Sequence, residues 1–280
     1  AALRGSSNKR RRRELAAWQT PGDVARAARL QADYLNTEQA LQGLGILNTI
    51  VVFGSTRIRE PAVAAAEVAA AQAALAADPA STGLRRALQR AERLAHWSQY
   101  YDVAREFGAM VGRAGADPAR CRTIIMTGGG PGIMEAANRG AFEAGARTAG
   151  LNIVLPLEQQ PNAYLTPALR LRFHYFAIRK LHFMLRAKAL VALPGGFGTL
   201  DELFETLTLI QTRRMQQVPV ILVGEAYWRR LLDAQFLASE GMIDDEDRDL
   251  ISFAETAADI WRIIIDWYRE SGEELFCDGD

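Results

Sequence analysis

The 280-residue chain carries 33 Lys plus Arg against 33 Asp plus Glu, and 49% of its residues are apolar. Zero net charge excludes the overall basic field with which nucleic-acid binders attract a polyanion, while the apolar fraction suffices for a substantial core. No run of about twenty apolar residues offers a membrane span, and two cysteines, Cys121 and Cys277, are too few for a disulfide framework. The expectation is a cytoplasmic protein with reduced thiols and neither a nucleic-acid nor a membrane partner.

In chain order, residues 1–20 read as a flexible arm holding five consecutive cations at 9–13. Residues 21–43 have helical proportions. Strand-like runs follow at 49–53, 123–127, 148–153, 190–193 and 218–223, alternating with helical patterns at 131–146, 175–187, 199–212, 225–239 and 256–268. This alternation predicts an α/β fold: a Rossmann-like parallel sheet with helices on both faces, forming one domain over 21–270. The Ala-rich stretch 61–112 is too long for an ordinary crossover and reads as two long helices inserted in the domain. On the second, Leu94, Trp97, Tyr101, Ala104, Gly108 and Val111 share one face. Residues 271–280 form an acidic tail.

Three strand ends run into glycine: Gly54-Ser55-Thr56-Arg57, Gly128-Gly129-Gly130-Pro131-Gly132 and Pro194-Gly195-Gly196-Phe197-Gly198-Thr199. In a parallel sheet the carboxyl ends of strands line the ligand crevice, so the three can surround one ligand. The second is not a dinucleotide fingerprint, because Ile133 stands where G-x-G-x-x-G requires glycine and no acid follows about twenty residues on. The third opens a helix, and its glycines permit close approach of an anion to backbone N–H groups.

Two readings of Glu202 stay open. Thr199-Leu200-Asp201-Glu202 has capping-box spacing, and Glu202 is equally placed to act on a ligand held by the glycines. Arg179 and Lys180 fall in the first turns of a helix, where the dipole disfavours cations, so a nearby anion is expected there. His174 and His182 stand eight residues apart and His96 alone, which is no metal-ligand pattern; neither a metal nor a cofactor is expected.

The R-K pair at Arg179-Lys180, the P-G-G-x-G-T-x-x-E run from Pro194 to Glu202 and the glycine loop with Met134 and Glu135 resemble the LOG ("lonely guy") phosphoribohydrolases, once labelled lysine decarboxylases. The likeness covers about residues 49–258, and the insert and N-terminal extension resemble the longer bacterial subgroup. It implies hydrolysis of the N-glycosidic bond of cytokinin nucleoside 5′-monophosphates to free base and ribose 5-phosphate, by a homo-oligomer. It further implies that Arg179 and Glu202 are catalytic. Ser55, Gly129, Gly130, Glu135, Lys180, Gly195, Gly196, Gly198 and Thr199 then bind substrate. A broader nucleotide nucleosidase and a non-hydrolytic nucleotide or cofactor carrier of the same fold are the alternatives.

Overall fold

In the computed structural model, residues 23–115, 123–154, 160–273 and 275 are described. The cationic run 9–13, both cysteines and residues 276–280 lie outside them. Helix α1 (Asp23–Gly43) precedes strand β1 (Asn48–Phe53), and the insert follows as α2 (Pro61–Ala77), α3 (Thr82–His96) and α4 (Gln99–Ala114). Next come β2 (Thr123–Thr127), α5 (Ile133–Glu143), β3 (Thr148–Ile153), a 3-10 turn, β4 (Arg170–Phe173), α6 (Phe176–Met184), β5 (Ala187–Ala192) and α7 (Phe197–Gln211). The chain continues through β6 (Val220–Val223), α8 (Glu225–Trp228), α9 (Ala234–Ser239), α10 (Asp245–Arg248), β7 (Ile251–Ala254) and α11 (Ala257–Ser271).

The seven strands form one parallel sheet in the order β4-β3-β2-β1-β5-β6-β7, the α/β Rossmann-like architecture that the alternating pattern predicts. β1 is buried along its whole length, so its side chains serve two cores at once. Ile50 and Val52 face the core built with α4, α5 and α11, and Val51 and Phe53 face the core built with α1, α6 and α7. Strand order reverses between β1 and β5, and a ligand crevice opens outside the carboxyl ends at such a reversal.

Four sequence expectations need correction. The insert holds three helices, because the chain turns at Trp97–Ser98, where the Ser98 hydroxyl donates to the Ala95 carbonyl at 2.7 Å. The continuous apolar face is therefore divided: Tyr101, Ala104, Gly108 and Val111 are buried on α4, whereas Leu94 and Trp97 precede the break and are only partly buried. Gly108 belongs to a close helix contact, since a Cβ there would strike the Ala137 carbonyl on α5. The helix expected over 225–239 is two short helices, the second capped by Asp233, which accepts from the Phe236 N–H at 2.9 Å. Strands β4 and β7 form the sheet edges and escaped the pattern because neither is a continuous buried run: β4 alternates exposed and buried positions and β7 is only partly buried. The last helix continues through Ser271 and closes on Gly272 with φ 70°, so the tail begins later than the composition suggests.

Candidate functional site

The three glycine junctions are tied together at the strand-order reversal by one residue, Ser55. Its N–H donates to the Pro194 carbonyl at 2.9 Å and its carbonyl accepts from the Ile133 N–H at 3.1 Å, which links the ends of β1, β5 and β2. Gly132 makes the last approach possible. Its φ is +72°, and a Cβ there would overlap the Ser55 carbonyl. Behind the second loop, Asn162 donates through Nδ2 to the Gly130 carbonyl at 3.1 Å and to Asn138 Oδ1 at 3.0 Å, and its N–H donates to the Gly129 carbonyl at 2.9 Å. Gly129 in turn donates to Thr127 Oγ1 at 2.9 Å. Buried polar groups satisfied in this way hold a loop in one conformation.

Helix α7 starts at Phe197 with Gly196 as its N-cap. Thr199 therefore lies inside the first turn, its N–H donating to the Gly196 carbonyl at 3.0 Å, and the capping box that the Thr199–Glu202 spacing allows does not form. Nor is Asp201 a first-turn acid. The N–H groups of Gly196, Phe197 and Gly198 make no hydrogen bond to described residues, and a Cβ at Gly196 or Gly198 would meet nothing within 4 Å. Gly195 is different, because a Cβ there would collide with the Thr199 side chain. The loop thus presents unpaired amide donors and a helix N-terminus to open space.

Glu202 sits one turn deeper and is 1% exposed. Arg179, from α6, donates through Nη2 to Glu202 Oε1 at 3.3 Å; Glu202 Oε2 and Arg179 Nε have no hydrogen-bond partner among the described residues. The Arg179 guanidinium also lies over the rings of Phe176 and Phe183, at 5.1 and 5.5 Å. Burial pushes the Glu202 carboxyl up, Arg179 and Lys180 pull against it, and the balance stays above the usual carboxylate value. Lys180 points elsewhere: its Nζ lies 2.8 Å from Asp201 and 2.5 Å from Glu205 on α7. Although desolvation pulls it down, these carboxylates hold it above the ordinary lysine value. Lys180 is thus a tie between α6 and α7, outside the crevice walls.

The crevice above these groups has a volume of about 1110 Å³. Among the expected site residues, Ser55, Gly130, Arg179, Gly195, Gly196, Gly198, Thr199 and Glu202 line it, as does Arg57; Gly129, Glu135 and Lys180 do not. Glu135 instead accepts from the Tyr101 hydroxyl at 3.3 Å. Among the described residues, the walls include five arginines, Arg57, Arg86, Arg90, Arg93 and Arg179, against one carboxylate, Glu202. A chain without net charge therefore builds a locally cationic crevice, suited to an anionic ligand. Aromatic rings of Trp97, Phe176, Phe197 and Tyr227 supply apolar wall. Sequence reasoning missed the arginines of α3, and their spacing of four and three on a helix was the available signal. It also missed Asn152, a lining residue whose buried Oδ1 has no partner among the described residues, and Asp33 on α1. Asp33 Oδ2 accepts from the N–H groups of His174 at 2.7 Å and Tyr175 at 3.1 Å, and Oδ1 lies 2.8 Å from His174 Nδ1. That clamp fixes the start of α6, and hence Arg179. His182 is fully buried and pushed down by desolvation, and no group of three metal-ligating side chains occurs among the described residues.

Residues 134–264 match the family model described as "Possible lysine decarboxylase". Among curated proteins, "Probable cytokinin riboside 5′-monophosphate phosphoribohydrolase LOGL5" of Oryza sativa subsp. japonica is 28% identical over 166 residues, 58% of this chain and 64% of its own. "Cytokinin riboside 5′-monophosphate phosphoribohydrolase LOG" of the same plant is 29% identical over 166 residues, again 58% of this chain and 65% of its own. The chain thus spans slightly under two thirds of the length of these two relatives. Among solved structures, the Moco carrier protein of Chlamydomonas reinhardtii superposes over 80% of this chain and 98% of its own, with 20% identity and a TM-score of 0.44. Residues 134–264, slightly under half of the chain, are thus similar to a family described as "Possible lysine decarboxylase", and the curated proteins that the chain resembles are cytokinin riboside 5′-monophosphate phosphoribohydrolases.

Proposed function

We propose that this protein hydrolyses the N-glycosidic bond of nucleoside 5′-monophosphates, cytokinin nucleotides among them, releasing free base and ribose 5-phosphate. The observation that carries the reading is Glu202: a carboxylate 1% exposed, held on one oxygen by Arg179, with the other oxygen unpartnered among the described residues at the wall of a cationic crevice. A structural acid would have both oxygens engaged; this one is kept for something that comes and goes.

The chemistry follows from the order of groups along the wall. The amides of Gly196, Phe197 and Gly198, the Thr199 hydroxyl and the α7 N-terminus take the 5′-phosphate. Gly195 lets the Thr199 side chain pack beneath the loop, and Gly130 and Ser55 close the opposite wall. Anchoring the phosphate there sets the ribose over Glu202. As the C–N bond lengthens, positive charge grows on the ribose ring and the base leaves with the bonding electrons. The Glu202 carboxylate stabilises that charge and accepts a proton from the attacking water, whose oxygen becomes the new hydroxyl on the anomeric carbon. Arg179 orients Glu202. Glu135 and Gly129 act from behind the second glycine loop, and Lys180 through the packing of α6 on α7.

Decarboxylation through a lysine-bound cofactor fits poorly. Of the chain's three lysines, Lys9 lies outside the described residues, Lys180 is ion-paired, and Lys188 lies 5.6 Å from the Tyr268 ring centroid. We also read the protein as a homo-oligomer, because Phe176 and Leu181 on α6, Leu185 just after it, and Phe197 and Phe204 on α7 are 40–91% exposed. Incubation with AMP and isopentenyladenosine monophosphate, followed for free base and ribose 5-phosphate, tests the activity. Tight nucleotide binding without base release from any monophosphate would replace it with the carrier reading.

A further inference from the structure

Helix α3 lays Arg86, Arg90 and Arg93 along the crevice wall. At 100° per residue the three fall within about 60° of one stripe, and none has an ion-pair or hydrogen-bond partner among the described residues. Several arginines on other elements are matched with acids, as in Arg105–Glu143, Arg139–Glu60 and Arg186–Glu38. Like charges four residues apart weaken a helix, so an unmatched row is a cost that a bound polyanion would remove.

The row has a direction. Arg93 lies one turn before Trp97, whose ring stands 5.4 Å from that of Tyr227, and the Tyr227 hydroxyl donates to the Gly195 carbonyl at 2.5 Å. Trp97, one turn after Arg93, is thus linked through Tyr227 to the loop assigned above to the 5′-phosphate, and Arg90 and Arg86 lie successively further back along α3, over about 10 Å. The crevice, at about 1110 Å³, is also roomier than the roughly 300–1,000 Å³ of ordinary small-molecule sites.

We propose that the arginine row of α3 is a polyphosphate subsite, and that the crevice binds nucleoside 5′-di- and triphosphates with their outer phosphates running along Arg93, Arg90 and Arg86. The proposal rests on the phosphate placement of the preceding reading, but not on hydrolysis. Guanidinium groups suit it because they stay charged and present paired donors to phosphate oxygens. Nucleoside polyphosphates would then compete with monophosphates for the same loop.

The test measures binding of AMP, ADP and ATP to full-length protein carrying Glu202→Gln, so that hydrolysis does not deplete ligand, beside the same protein with Arg86→Gln and Arg90→Gln added. All three arginines of the row are exposed, and an unchanged thermal midpoint checks that the fold survives. The expected result is ADP binding about tenfold tighter than AMP, ATP tighter still, with steep weakening by salt. The added substitutions should abolish that advantage while leaving AMP within about twofold, and inorganic tripolyphosphate should compete with ATP only when both arginines are present. Equal affinity for AMP, ADP and ATP, or an equal loss for all three in the variant, overturns the subsite. Base release from AMP by the wild-type chain is followed separately. Its absence together with an arginine-dependent ADP preference sinks the hydrolase and leaves the subsite standing.

Discussion

Replacing Glu202 with Gln removes charge and leaves shape, and the structure sets what each consequence should be. At 3.3 Å and an effective dielectric near 20, the attraction to Arg179 is about 5 kcal/mol before desolvation. Desolvation nevertheless dominates, because the Glu202 carboxyl is held above its ordinary value despite Arg179 and Lys180. The folded protein therefore binds this proton more tightly than the unfolded chain. Between the ordinary carboxylate range and the raised folded value, the contribution of Glu202 to stability falls as pH rises. Glutamine removes that loss, and Arg179 retains its contacts with Phe176 and Phe183. At neutral pH the variant should unfold within about 1 kcal/mol of wild type. Turnover should fall on the order of 10²- to 10³-fold, the loss expected when a buried group aimed at developing charge is neutralised. Base release from AMP and isopentenyladenosine monophosphate, beside chemical denaturation, measures both. Turnover within threefold of wild type in a normally folded variant would refute the catalytic assignment.

Three further expectations follow from the same geometry. If ionised Glu202 is the working form, the acid limb of kcat should lie above the ordinary carboxylate range and move further up in Arg179→Gln, which removes a group that lowers the Glu202 pKa; a limb that stays put in that variant contradicts the pairing. Lys180→Met should lower the thermal midpoint, because Asp201 and Glu205 lose their shared cation, while KM for AMP changes by less than about twofold. A large rise in KM without loss of stability would return Lys180 to the phosphate. Asp33→Ala, which strips two N–H groups of an acceptor 4% exposed, should cost about 2–3 kcal/mol and also reduce kcat by freeing the start of α6. Unchanged unfolding in urea would show that the clamp is dispensable.

How far the site was legible depends on which residues are considered. The glycine junctions could be read directly, because a backbone that must approach an anion or another chain segment leaves glycine in the sequence. Convergence of the three also followed from the rule that parallel strands share their carboxyl edge, and Ser55 supplies the bonds that realise it. Glu202 was ambiguous for a definite reason. The spacing Thr-x-x-Glu is that of a capping box, and the same kind of spacing does form one at Thr256–Asp259, where Thr256 Oγ1 accepts from the Asp259 N–H at 3.1 Å and Asp259 Oδ2 from the Thr256 N–H at 3.3 Å. At residues 199–202 the helix begins two residues before Thr199, so the acid is left for Arg179. Spacing cannot tell the two apart, because the starting residue is fixed by the packing of the preceding loop.

By itself the sequence determined the class of fold, since buried parallel strands demand short apolar runs and the helices between them demand a different period. It also determined the chemistry on offer at the strand ends: glycine amides, an acid and a pair of cations. Only the tertiary structure decided which cation serves which acid. Arg179 and Lys180 are neighbours in the chain, yet the turn of α6 sends one to Glu202 and the other to Asp201 and Glu205. It likewise decided that the Ala-rich insert turns at Trp97–Ser98 and brings an arginine row to the crevice. Helix propensity is local and survives in the sequence, whereas the face a helix shows to a ligand depends on residues brought together from distant parts of the chain.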